Sequence, residues 1–228
     1  MSTTNKTRAT EATLKLIRAG GLLDYGPDRS RLLLRILRTL GQGRPVSVEQ
    51  VDQFIDELRI GRDDGRALVS QVAERGPDES VVGMFGLTLN ETQHRFTVNG
   101  NHLFTWCALD TLFLPIVLGQ ATSIESESPV GNAKVRLTVS PRRVEAVEPA
   151  GAVVSIVAVD PDTAEISSVE AVWGTFCNHV FFFATRSDAQ AWAAGRDNRD
   201  AIEIVSVDEA FELGQLLSST LLSQAGEQ

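Results

Sequence analysis

Cysteine is scarce in this chain: Cys107 and Cys177 are the only two in 228 residues. Two thiols make at most one disulfide. Such a bridge is a weak expectation here, because the cytosol keeps thiols reduced. Reduced, the pair is either core filler, as free cysteine often is, or a set of two soft ligands. No Cys-X-X-Cys is present, which argues against a thioredoxin-like redox site. Two thiolates and a carboxylate also fall short of the four N/S ligands of a structural zinc site. Long apolar runs are missing too. Val172 to Ala184 is too short to span a bilayer and contains Asn178 and His179. Met1 to Thr10 is polar and no signal-peptide core follows it, so a cytoplasmic protein with no membrane partner is expected. The sequence has no Gly-rich phosphate loop in a strand-loop-helix setting, no Gly-X-Ser-X-Gly and no His-Glu-X-X-His.

A basic surface is lacking as well. Met1 to Ser80 carries 13 Lys and Arg against 12 Asp and Glu, and the remainder carries 8 against 18, giving the net charge of -9. Neither part offers the electrostatic footprint of a nucleic-acid binder. What the chain does have is 43% hydrophobic content, enough to build a sizeable core in one or two domains.

The first third reads as helices. Thr10 to Ala19 is one. Pro27-Asp28 opens a second, with Leu32, Leu33, Ile36, Leu37 and Leu40 on one face and Gly41 as its stop. Ser47-Val48-Glu49-Gln50 has the capping-box pattern, Gly61 ends that helix, and Asp63 to Glu74 forms the next. With a strand from Val81 as a wing, this arrangement resembles a helix-turn-helix. The rival is a helical domain that only packs on the rest, and Asp63-Asp64 at the start of the would-be recognition helix favours that rival.

From Val81 strands dominate. Phe85 to Leu89 is expected as one strand. Arg95 to Val98 and His102 to Phe104 flank Asn99-Gly100-Asn101, a strong hairpin signal. Further strands are expected at Thr122 to Glu127, Val135 to Val139, Val153 to Val159 and Ile202 to Val205, with Ser140 to Arg143 as a turn and Asp160-Pro161-Asp162 as a loop. Ser187-Asp188-Ala189-Gln190 and Ser206-Val207-Asp208-Glu209 each read as a helix start. The fold class is therefore α+β. A helical, winged-helix-like domain over residues 1–80 precedes a mixed, mainly antiparallel sheet core with surrounding helices over residues 81–228.

The chemistry concentrates in Leu103 to Leu112, where Cys107 stands three residues before Asp110 in an otherwise apolar segment. On a helix the two share a face. Burying a lone acid costs several kcal/mol (order of magnitude) unless something compensates. With Thr105 as N-cap, Cys107 falls in the first helical turn, where the partial positive charge lowers a thiol pKa. Asp110 could then take the thiol proton and return it to a substrate. The alternative is that Asp110 caps locally and Cys107 is core. Cys177 is expected in a strand, on one face with His179. His179 is then either a co-ligand or a satisfied core histidine.

Several segments carry a resemblance. The run Gly86 to Phe96, then Trp106-Cys107-Ala108-Leu109-Asp110-Thr111-Leu112, Val144 to Gly151, Phe176-Cys177-Asn178-His179-Val180 and Ile204 to Phe211 are together similar to the alkylmercury (organomercurial) lyase family. The likeness extends over nearly the whole chain. It implies protonolysis of a carbon-mercury bond to a hydrocarbon and Hg(II). Cys107 and Cys177 would be the mercury-binding thiols and Asp110 the proton-transfer residue. Thiolate is a soft donor suited to a soft metal. The implied substrate cleft is apolar, lined by Trp106, Leu109 and Phe181 to Phe183. No organic cofactor is implied. The implied partners are an organomercurial, small exogenous thiols and a mercuric reductase that takes the Hg(II), and a homodimer is left open. The further cysteine that many members carry near Ser128-Pro129-Val130 is absent, and a cysteine doublet of some members is Cys177-Asn178 here. A non-catalytic mercury binder or metal-responsive regulator is the competing function. Asp110 discriminates, because a pure binder needs no acid beside the thiol.

Overall fold

The computed structural model describes residues 8–17, 23–158 and 168–227. The expected loop at Asp160 to Asp162 and the end of the first expected helix lie outside these residues. The chain begins with four helices: α1 (Arg8–Ile17), α2 (Pro27–Leu40), α3 (Val48–Glu57) and α4 (Arg62–Val72). Their ends follow local chemistry. Pro27 occupies the first turn of α2, where its missing N–H is not needed. Ser47 and Gln50 cap α3 reciprocally, with Gln50 N donating to Ser47 Oγ at 3.3 Å and Ser47 N to Gln50 Oε1 at 3.1 Å. The fourth helix stops at Val72, short of the expected Glu74, because Ala73 turns extended to start β1 (Ala73–Arg75).

An eight-stranded sheet follows. Its strands are β1, β2 (Val81–Met84), β3 (Leu87–Thr88), β4 (His94–Val98), β5 (Asn101–Thr105), β6 (Thr122–Glu127), β7 (Lys134–Val139) and β8 (Val144–Glu148). The spatial order is β1-β2-β3-β5-β4-β6-β7-β8, and each neighbouring pair is antiparallel. Alternation is clean in β7, where Val135, Leu137 and Val139 point inward and Lys134, Arg136 and Thr138 outward. Two expectations fail here. Phe85 to Leu89 is not one strand: Phe85 and Gly86 have φ of 50° and 82° and turn β2 back into β3. The edge strand β8 was not expected. Its mostly exposed side chains give no buried face to read.

The remaining elements close the core. Helix α5 (Ala108–Leu118) is buried almost all round, as a helix enclosed on every side must be. A short helix α6 (Val169–Thr175) leads into a 3-10 turn at Cys177–His179. A second, three-stranded antiparallel sheet places β9 (Val153–Val157), buried at every position, between β10 (Phe182–Phe183) and β11 (Ile202–Ser206). Helix α7 (Arg186–Ala194) starts earlier than the Ser187 pattern suggests, because the Thr185 hydroxyl accepts from Asp188 N at 3.2 Å. Helix α8 (Val207–Ala225) is capped by Ser206 and Glu209 as expected. It lies against α5 at Gly214, where an added Cβ would stand 3.2 Å from the Leu112 carbonyl carbon and the Phe113 nitrogen. Leu33 and Ile36 of α2, Phe96 of β4, Leu112 of α5 and Phe211 of α8 belong to one continuous core. The class is α+β with antiparallel sheets. No described helix is long and apolar enough to cross a membrane.

Candidate active site

The site is built at the N-terminus of α5. Strand β5 ends at Thr105, so Thr105 is not the cap of the helix that follows. Cys107 is the N-cap, in extended backbone at φ -149°, and Asp110 is the third helical residue. Asp110 Oδ2 accepts from Cys107 N at 2.8 Å. The carboxylate thus does the work of a capping-box acid while facing the thiol.

Cys177 arrives from the other side of the core. It occupies the first position of the 3-10 turn, not a strand, so it shares no strand face with His179. Two anchors hold this turn. Ala108 N donates to Val180 O at 3.1 Å, tying the turn to the start of α5. The Ser155 hydroxyl of β9 donates to His179 O at 2.8 Å and accepts from Phe181 N at 3.0 Å. As a result, ligand atoms of Cys107, Asp110 and Cys177 lie within 4.8 Å of one another. Among the described residues this is the one grouping of three such side chains with that closeness, and His179 is outside it. Both thiols are free and buried.

Burial dominates the electrostatics. The Cys107 thiol is pushed well above its ordinary range, first by burial and then by the neighbouring Cys177 and Asp110. This reverses the expected lowering at the helix start. The dipole is worth roughly 0.3–1 kcal/mol, whereas full burial moves a pKa by up to about 3–5 units. Cys177 gains some thiolate character from its hydrogen bond with Cys107, but burial and the Asp110 charge raise it overall. Asp110 is raised by burial to about 7, against the opposing pull of its hydrogen bonds from Cys107. The thiols therefore hold their protons at neutral pH, while the carboxyl is poised to exchange one.

A cavity of about 160 Å³ reaches two of the three, Asp110 and Cys177, while Cys107 is fully buried behind its wall. Asp110, Cys177 and Gly86 are in its wall, and the rest is apolar, including Tyr25, Phe85, Trp106, Leu109, Phe113, Phe176, Leu217 and Leu221. Trp106 and Leu109 are where the sequence put them. Phe181 to Phe183 are not part of this wall. Phe182 and Phe183 are fully buried on β10, and Phe181 packs edge-on against Trp192 at 5.5 Å. Sequence reasoning missed Tyr25, Phe113, Leu217 and Leu221. Tyr25 lies in the coil before α2, outside any periodic pattern, while Phe113, Leu217 and Leu221 are ordinary apolar residues of their helices that only the packing of α5 and α8 brings together.

Comparison with known proteins gives a consistent result. A family model described as alkylmercury lyase matches residues 87–219. An alkylmercury lyase of Streptomyces lividans is 38% identical over 188 residues, covering 82% of each chain. One of Pseudomonas putida is 39% identical over 210 residues, covering 89% of this chain and 90% of the relative. One of Staphylococcus epidermidis is 41% identical over 192 residues, covering 81% and 80%. Among solved structures, the mercury-bound form of MerB2 superimposes with a TM-score of 0.72 at 22% identity, over 95% of this chain and 100% of that one.

Proposed function

This chain belongs to the alkylmercury lyase family, and on that premise we propose that it cleaves the carbon-mercury bond by protonolysis at Cys107, Asp110 and Cys177. The observation that carries this reading is the convergence of two thiols and one carboxyl poised near neutrality within 4.8 Å, with Asp110 and Cys177 in the wall of an apolar cavity. An alkyl- or arylmercury enters as its adduct with an exogenous thiol. One cysteine forms a sulfur-mercury bond and its proton passes to Asp110 while the carrier thiolate leaves. The second cysteine adds to mercury, and its proton goes to the departed carrier thiolate. Thiolate donation weakens the bond to carbon and makes that carbon basic. Asp110 delivers its proton there and the hydrocarbon leaves. Hg(II), as product, is held by Cys107 and Cys177 beside Asp110, and small thiols or a mercuric reductase remove it. The reaction needs no organic cofactor. It takes place in the cytoplasm in this reading, and it does not require a second copy of the chain.

The helices over residues 1–80 are a winged-helix-like packing unit in the same reading. Their surface charge supports that over a regulatory role in nucleic-acid binding. Arg62 and Arg66 of α4 are each engaged by an acid of α3, Asp56 and Asp52, at 2.5 Å, leaving them less free for phosphate.

The test is benzene release from phenylmercury with excess thiol. Asp110→Asn is expected to lose about 10²–10⁴-fold in kcat, as for loss of a proton-transfer group, while still binding Hg(II). Cys107→Ser and Cys177→Ser are expected to release none above background. Full-speed release by Cys177→Ser would remove the two-thiol mechanism.

A further inference from the structure

The carboxyl that chemistry would choose for proton transfer stands on a residue that has no side chain. Gly86, the second residue of the β2–β3 turn, is buried and has φ +82°. A Cβ built there would lie 2.2 Å from Asp110 Cγ, 2.4 Å from Oδ1 and 2.6 Å from Cβ. Those distances are far inside van der Waals contact, and the obstructing atoms are the reacting carboxyl itself. The turn cannot slide away. Gly86 O accepts from Trp106 N at 2.8 Å, so the turn is pinned to the residue before Cys107. Asp110 is held from its other side, where Oδ2 takes the Cys107 N–H. The carboxyl is therefore sandwiched between the helix N-cap and a bare Cα.

We propose that Gly86 is a positioning residue for the reaction: its missing side chain is what lets the Asp110 carboxyl lie level with the two thiols, and a β-carbon at this position drives the carboxyl away from the mercury-bound carbon. The proposal rests on the protonolysis reading above for its kinetic consequence. Its steric core, the exclusion of a side chain at residue 86 by Asp110, stands apart from that reading.

A second glycine in the same sheet serves as the control. Gly100 turns β4 into β5 with φ +78°, and a Cβ there would meet nothing within 4 Å. Gly86→Ala and Gly100→Ala therefore impose the same backbone strain, and only the first adds a collision. In the full chain with phenylmercury, Gly86→Ala is expected to lose about a hundredfold in kcat, the scale of a misplacement near 1 Å. Its KM should stay within about threefold, because the apolar wall remains. One equivalent of Hg(II) should still protect both thiols from labelling. Gly100→Ala is expected to keep the wild-type kcat. Wild-type kcat in Gly86→Ala, or an equal loss in both variants, overturns the proposal.

Denaturant midpoints supply the arm that does not depend on turnover. Gly86→Ala should be destabilised more than Gly100→Ala, and the excess should shrink when Asp110→Gly is also present. An excess that survives in the Asp110→Gly background overturns the steric argument. If Gly86→Ala does not fold at all, recovery of folding in the double variant supports the exclusion, and failure to recover overturns it. Should Asp110→Asn turn over at full speed, the protonolysis reading fails, and the stability cycle still decides whether residues 86 and 110 exclude each other.

Discussion

Two hairpin turns in the large sheet share their length and φ values and differ in chemistry and surroundings. Asn99 and Gly100 have φ of 50° and 78°, and Phe85 and Gly86 have φ of 50° and 82°. Both are two-residue turns, between Val98 and Asn101 in one case and Met84 and Leu87 in the other. The first is exposed and uses the residues that positive φ favours. The second places a bulky aromatic where left-handed backbone costs an L-residue roughly 1–2 kcal/mol. Strain of that kind persists only where surrounding contacts over-determine it. Phe85 has those contacts. Its ring meets Tyr25 edge-on at 5.7 Å and forms part of the cavity wall, while Gly86 lies under Asp110. At one turn local chemistry sets the sequence. At the other the site sets it.

The largest effect that separates the two hairpins is electrostatic, because each adjoins a buried titratable group. His94, at the open end of the Asn99 hairpin, is fully buried between Ser126, Gln93 and the rings of Phe181 and Phe182, and burial lowers its pKa to about 3. Asp110, above the Phe85 turn, is raised to about 7. The signs are opposite. Below pH 6.5 the unfolded chain protonates His94 while the folded chain refuses, so stability falls as pH drops toward 3. Above about pH 4 the unfolded chain gives up the Asp110 proton while the folded chain keeps it, so stability falls as pH rises toward 7. Each slope is about 1.4 kcal/mol per pH unit, and in the shared window they cancel. Urea denaturation of Asp110→Asn should therefore show stability rising by roughly 2 kcal/mol from about pH 5 to 6.5. His94→Gln should show the opposite slope, with the wild type close to level. A level profile in Asp110→Asn would remove the assignment of His94, and a level profile in His94→Gln would remove that of Asp110.

The next effect is on the substrate wall. Phe85→Asn makes the inner turn chemically like the outer one. Relief of backbone strain and loss of a partly buried aromatic ring offset each other to within about 1 kcal/mol, so folding stability should change little. Function should not be spared. With the Tyr25–Phe85 contact gone, kcat/KM for phenylmercury is expected to fall about tenfold, mostly through KM, the size of one lost apolar contact of about 1.4 kcal/mol. An unchanged KM with a reduced kcat would move Phe85 from the wall to the proton-transfer machinery.

The same contrast explains what could be read without the fold. Asn99-Gly100 and the capping boxes at Ser47 and Ser206 were legible because each is a complete local device. The Phe85-Gly86 turn was not, since Phe-Gly-Leu-Thr-Leu has the composition of a strand and its real determinant, Asp110, lies far along the chain. The Cys177 turn was hidden in the same manner by the apolar run from Val180 to Phe183. At the site, the pairing of Cys107 with Asp110 followed from helical spacing. Nothing in spacing brought Cys177 to them; that came only through the family resemblance. The thiol electrostatics came out reversed because a helix start is a local signal and burial is not. Cys107 as its own N-cap escaped notice for a related reason: cysteine is not a residue that capping rules single out.

The smallest effect tests the outer turn on its own terms. Asn99 is exposed, and its contribution lies in tolerating φ 50° better than an alanine does. Asn99→Ala should therefore cost about 1 kcal/mol, which for a chain of this size lowers Tm by about 2–4 °C. Asn99→Gly should cost less, since glycine takes positive φ freely. Both variants should keep the wild-type kcat and KM for phenylmercury, because neither residue of that turn touches the cavity. A loss of activity in Asn99→Ala at a temperature where it remains folded would mean that the outer hairpin transmits strain along β5 to Trp106 and Cys107. The division between a turn set by local chemistry and a turn set by the site would then no longer hold.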